Sequence, residues 1–331
     1  MKRLVIISLG LFLAACTHAA GKPPPDLFGL YTSNLSGKNV AAVITSAWQQ
    51  MTHPRVSPDK QWVTFTRYRE TSFGGLAMEK NGYEFTEIML VRLDGSGLKT
   101  IVPAKPGIIN SNSSWSPDGK SLIWLSTENP QRQPQLMRID LASGKISRIP
   151  TPPKLNTSDP HGVGEQIVFP VISSELDVLW IMNLNGTNPR QLTYPKFPSG
   201  LPRSKFPPGD YDPKLSPGGR EVAFMRLFGE ESWRIFVVDI ATGRERDLSG
   251  PTRIDALPDW SSNSKLLLFW HVSRENMATT GLYTMRPDGN DRRMIPVPRG
   301  YLHGHPSFFP DSGSGPDARI IYQAMREPKL P

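Results

Sequence analysis

Four side chains able to bind a divalent metal or hold a proton stand at matching places in this chain. They are His53, Asp159, Asp212 and His305, and each immediately precedes a proline (Pro54, Pro160, Pro213 and Pro306). Leu257 before Pro258 occupies the same place, and Asn112 before Ser113 supplies a further copy. Imidazole and carboxylate groups are ordinary metal ligands, and imidazole titrates near neutral pH. The copies are far apart in sequence, so they form a site only if the fold lines them up. Aligned, they would make a small-ligand or cation site at one mouth of a channel, or they would pin loops by bonding neighbouring backbone.

A repeat could line them up. The phrase Ser57-Pro58-Asp59-Lys60 returns as Ser116-Pro117-Asp118-Gly119-Lys120 and as Ser216-Pro217-Gly218-Gly219-Arg220. Weaker copies are Ser261-Ser262-Asn263-Ser264-Lys265 and Phe309-Pro310-Asp311. Runs rich in aromatic and β-branched residues follow at 61–67, 120–126, 220–227 and 265–271, and 165–172 and 318–324 fill the same slot, as strand positions prefer. The next runs, 87–93, 135–140, 177–184, 232–239 and 281–285, end in glycine-bearing turns such as Asp94-Gly95-Ser96-Gly97, which suit hairpins. A recurring unit of roughly 45–60 residues built from short strands must stack on its neighbours to bury a core.

Six inner segments are present but only five complete units. The stretch 26–44 reads as the later half of a unit, and Ser36-Gly37-Lys38 matches Ser143-Gly144-Lys145. The fold expected is therefore all-β, a six-bladed β-propeller over 27–331 whose N-terminal strands close the last blade. Closure of this kind leaves no free sheet edge. Seven blades is the alternative count. The 33 prolines among 331 residues are about twice the usual share of ~5% and fit a chain rich in turns.

The chain opens with Lys2 and Arg3, an apolar run over 4–12, then Leu13-Ala14-Ala15 before Cys16. This pattern reads as a bacterial secretory signal over 1–15. It also resembles the lipobox of bacterial lipoproteins, which implies lipidation of Cys16. Cys16 is the only cysteine, so the exported chain has no internal disulfide. The proline-rich stretch 16–26 reads as a semi-rigid tether. Thr17 favours the outer membrane over the inner, so the expected location is the bacterial envelope, facing the periplasm.

The Ser-Pro-Asp-Gly phrase with its following strand and Asp-x-x-Gly hairpin resembles the propeller repeat of the TolB type. The resemblance covers nearly all of the chain after the tether. It implies a propeller that binds an envelope protein; in that family the partner is a peptidoglycan-associated lipoprotein. It departs from TolB in running straight from tether to blade, without a preceding α/β domain. His303-Gly304-His305-Pro306-Ser307-Phe308 is similar to a stretch of oligogalacturonate lyases, which use a TolB-like propeller and manganese. That similarity implies His303 and His305 as metal ligands. Gly300 stands where a glutamine is expected, and no match to a further ligand histidine is evident, His271 being too close in sequence.

Other chemistries lack their motifs. There is no Gly-x-Ser-x-Gly elbow, no His-Glu-x-x-His pair and no paired-cysteine metal site, and Ser114 replaces the first glycine that a phosphate loop ending in Gly119-Lys120-Ser121 would need. The formal charge of +8 is spread through turns with no dense basic stripe, which argues against nucleic acid. Two loops exceed what blades need, 71–85 and 194–211. The second carries Tyr194, Phe197, Arg203, Phe206 and Tyr211, a mix suited to a protein or glycan contact, or it is a proline-rich cover over the channel. The expected function is a non-catalytic binding scaffold without a required cofactor. The alternative is a metal-dependent enzyme or solute-binding protein using His53, Asp159, Asp212, His303 and His305.

Overall fold

The computed structural model describes residues 26–69, 85–153, 155–173, 175–197, 207–229 and 232–326. Cys16 and the signal lie outside these, as do nearly all of the 71–85 loop and the 198–206 part of the second loop.

The described residues form six antiparallel sheets. Blade 1 runs Met51–Val56, Trp62–Tyr68, Thr86–Arg92 and Lys99–Val102 from the inside outward; blade 2 runs Asn110–Trp115, Ser121–Ser126, Gln135–Asp140 and Ile146–Arg148. Blade 4 (Gly209–Leu215, Glu221–Leu227, Trp233–Asp239, Glu245–Asp247) and blade 5 (Ile254–Trp260, Leu267–Val272, Gly281–Met285, Arg293–Met294) repeat the plan. In blade 3 the innermost strand is split into Asn156–Thr157 and His161–Val163, both paired with Gln166–Ile172, before Val178–Asn183 and Arg190–Gln191. Blade 6 takes Tyr301–Phe308 and Arg319–Arg326 from the C-terminal end and Phe28–Asn34 and Ala41–Ser46 from the N-terminal end. Phe28–Asn34 pairs along its whole length with Arg319–Arg326, so the closure expected from sequence is present.

The repeated phrase is a small hydrogen-bonded device. Ser57 Oγ donates to Asp59 Oδ1 at 2.5 Å and accepts the Trp62 N–H at 2.9 Å, while Asp59 Oδ1 accepts the Gln61 N–H at 3.0 Å. Ser116 and Asp118 reproduce all three bonds, and Ser261 with Asn263 does so in blade 5. Short polar side chains that bond backbone two residues on favour such turns. Each phrase therefore fixes how the innermost strand reverses into the next.

The core is divided by blade pair. Strand residues alternate faces, and each blade buries one face on each neighbour. In blade 2, Leu122 and Trp124 pack with Ile88 and Leu90 of blade 1, whereas Ile123 packs with Ile167 and Phe169 of blade 3. Val168 continues with Phe224, Ala223 with Phe269, and Leu268 with Ile320. Phe65 of blade 1 completes the circle against Phe28 and Ile321 of blade 6. Indole N–H groups lock some of these seams: Trp115 Nε1 donates to Arg55 O and Trp260 Nε1 to Lys214 O, each at 3.0 Å.

Candidate functional site at one mouth of the channel

Each innermost strand breaks register at one place, between Thr52 and Arg55, Ser111 and Ser114, Tyr211 and Lys214, Ala256 and Asp259, and Gly304 and Ser307. In blade 3 the strand is interrupted there. The residue inside each break has a left-handed backbone: His53 (φ 53°), Asn112 (55°), Asp159 (40°), Asp212 (48°), Leu257 (57°) and His305 (45°). These are the six positions marked out in the sequence. Left-handed backbone is costly for L-residues, and Asn, Asp and His tolerate it best. The polar composition of the ring thus has a conformational cause, and Leu257 is the residue out of keeping with it.

The bulges turn these side chains into the channel, where they touch across it. The rings of His53 and His305 meet edge-on with centroids 4.0 Å apart. His53 Nε2 lies 3.9 Å from Asp212 Oδ1 on the far side. Asn112 Nδ2 donates to Asp159 Oδ1, and Ser158 Oγ donates to Asp159 Oδ2 at 3.3 Å. Asp212 receives no hydrogen bond from the described residues, and its side chain keeps 14% exposure.

Burial sets the electrostatics. It pushes the Asp159 carboxyl up to about 7, helped by the neighbouring Asp212 charge. Asp212 is also raised by burial, against the pull of Lys214 and Arg55. Burial holds His53 well below the usual imidazole range, with His305 and the two cations adding to it, and brings His305 down to about 3. The His53–Asp212 approach is therefore a contact between a neutral imidazole and a carboxyl group, not an ion pair. Lys214 is brought down to about 8 by burial and by Arg55 beside it.

Above the ring, at the face where the innermost strands begin, lies a cavity of about 380 Å³. All six sequence-predicted channel residues (His53, Asn112, Asp159, Asp212, His303 and His305) line it. Its wall is largely apolar, from Tyr68, Leu125, Met225, Leu227, Trp233 and Trp270. Among Arg55, Ser114, Lys214 and the ring residues lies a separate small pocket of about 10 Å³, about the space of one water. The mouth is a pocket with a polar floor.

His303 is buried at 5% exposure against Tyr322, with ring centroids 5.4 Å apart. The loop residues separate. Tyr211 turns into the cavity wall and donates its hydroxyl to Pro207 O at 2.7 Å. Phe197 packs edge-on against Phe228, and Tyr194 stays 70% exposed. Arg203 and Phe206 lie outside the described residues. Sequence reasoning missed Arg55 and Lys214, although each stands two positions beyond a ring residue, the strand repeat that returns a side chain to the same face. It also missed the indoles of Trp233 and Trp270, which come from middle strands.

The manganese site implied by the lyase similarity does not fit. Among the described residues no three His, Cys, Asp or Glu side chains come together in a way that could hold a metal ion. The His303 ring packs edge-on against Tyr322.

No model of a known protein family matches the sequence, and no curated protein matches it. Solved structures do. The chain is similar to a putative TolB from Agrobacterium tumefaciens at 13% identity and TM-score 0.65, over 90% of this chain and 98% of that one. TolB from Acinetobacter baumannii matches at 17% identity and TM-score 0.59, over 92% of this chain. This chain spans 66% of that protein's length. An oligogalacturonate lyase from Vibrio parahaemolyticus matches at 13% identity and TM-score 0.52, over 86% of this chain and 80% of that one. At these identities the likeness concerns backbone architecture. The chain has the six-bladed propeller fold of the TolB type.

Proposed function

We propose that this protein is a non-catalytic binding scaffold of the bacterial envelope, exported by its first 15 residues and anchored by acyl chains on Cys16. The observation that carries the reading is the cavity of about 380 Å³ at the channel mouth. Its size falls in the range of ligand pockets and its make-up, apolar walls around a few convergent polar groups, is that of a receptor site. The propeller supplies rigidity, because six separate inter-blade cores hold the floor residues in place. The resemblance to the TolB type supports a periplasm-facing location, and Thr17 supports the outer membrane. Exposed Tyr194 is the surface offered to a partner protein or glycan.

The test is photocrosslinking in cells from position 194, with metabolic fatty-acid labelling of wild type and Cys16→Ala in parallel. Capture of a defined envelope partner, and acyl label lost in the variant, are expected. A purified turnover activity with no partner captured would overturn the scaffold reading, and label retained in Cys16→Ala would overturn the anchor.

A further inference from the structure

The cavity has a chemical polarity that narrows what it binds. Asp159 and Asp212 stand on its floor, and the Asp212 carboxylate has no hydrogen-bond donor among the described residues, only His53 Nε2 at 3.9 Å. The balancing cations line the small separate pocket. Lys214 Nζ rests on Pro213 O at 3.3 Å and Arg55 Nη1 on Pro54 O at 3.2 Å. A ligand entering from the mouth therefore meets the carboxylates, while Arg55 and Lys214 line only the small pocket of about 10 Å³ and not the cavity.

The wall adds a second requirement. Trp233 and Trp270 both line the cavity, and the indole N–H of each is buried without an acceptor. Trp270 is only 3% exposed. The rings form the wall, while their N–H groups are shut away from the cavity. The aromatic wall also favours a cation over an anion.

We infer that the mouth binds a small organic cation, a primary ammonium on an apolar body. The inference deepens the binding reading above and rests on it. The ammonium sits on the floor between Asp159 and Asp212, and the apolar body lies against Met225, Leu227 and the rings of Trp233 and Trp270. Burial raises both carboxyls, and the Asp212 charge raises Asp159 further; an entering ammonium offsets that repulsion.

Calorimetric titration of the protein as purified from cells tests this with three matched probes. Phenylalaninamide carries the ammonium on an apolar body, phenylpropanamide lacks the ammonium, and phenylpropanoate lacks it too and has a carboxylate in place of the amide. Phenylalaninamide should bind tighter than phenylpropanamide by about tenfold or more, the worth of a hydrogen bond to a charged group, and phenylpropanoate should bind worst. Asp212→Asn should abolish that preference while leaving phenylpropanamide unchanged, and Asp159→Asn serves if the first variant melts early. Equal affinity for the two amides, tightest binding of phenylpropanoate, or no binding of any probe would each overturn the inference. A crosslinked partner found alongside any of these results would leave the scaffold reading standing without it.

Discussion

Asp26 and Arg326 are separated by 300 positions, yet Arg326 Nε donates to Asp26 Oδ1 at 3.1 Å and Tyr301 donates its hydroxyl to Asp26 Oδ2 at 2.8 Å. This contact seals the junction where the two chain ends share blade 6. The ion pair itself is largely solvated, Arg326 being 41% exposed, and such pairs contribute at most about 1 kcal/mol. The strand pairing behind it matters far more. Arg326→Ala should lower stability by about 1 kcal/mol or less in urea unfolding. Deletion of 28–46 should instead abolish cooperative unfolding, because it strips Phe28 and Leu30 from the core and bares the edge of Arg319–Arg326.

The floor residues should be sensitive to backbone shape. A β-branched residue at φ 55° is strained by about 1–2 kcal/mol, whereas glycine is not. Asn112→Val and Asn112→Gly both lose the bond to Asp159. The valine variant should nevertheless be less stable by about 1 kcal/mol or more, read from paired urea curves.

Asp159 gives stability a pH slope. Its folded pKa of about 7 lies above the ordinary 3.8, so between those values the folded state binds more protons than the unfolded. Its contribution is fully present below about pH 4 and is lost as pH rises through 7. Asp159→Asn should therefore exceed wild type in stability at pH 8, by about 1–3 kcal/mol, with the difference closing toward pH 4. Urea midpoints of both proteins across that range check it, and a constant difference would refute it.

The seam bond from Trp260 Nε1 to Lys214 O is buried. Trp260→Phe keeps an aromatic ring but leaves that carbonyl without its donor. The expected loss is about 1–3 kcal/mol, with the propeller otherwise intact by circular dichroism.

Because the channel donors do not converge on one point, added manganese should leave the melting temperature of wild type and of His305→Ala equally unchanged. A rise in wild type alone, with stoichiometric metal by elemental analysis, would restore the metal reading and call for a lyase assay.

The blades were legible because their signals are local. Ser57 and Asp59 bond within five residues, so the turn prints itself as a phrase. Positions 53, 159, 212, 257 and 305 were legible because a following proline tags the bulge, and Asn112 because it keeps the same place before Ser113. What surrounds them was not. Whether a side chain such as Trp233 or Tyr211 faces the cavity depends on strand register and on where each blade's loop returns. Tyr194 and Tyr211 look alike as aromatic loop residues, yet one is surface and the other is wall, a difference decided by the hydrogen bond to Pro207 and by packing across blades.

The six left-handed floor positions separate what this molecule recognises from what keeps it folded. Each asks of its residue only tolerance of one backbone shape, which His, Asn and Asp meet equally. An exchange among those three would rewrite the charge and hydrogen-bonding pattern of the floor while the cores between blades stay as they are. The propeller thus offers a panel of interchangeable side chains on a fixed frame.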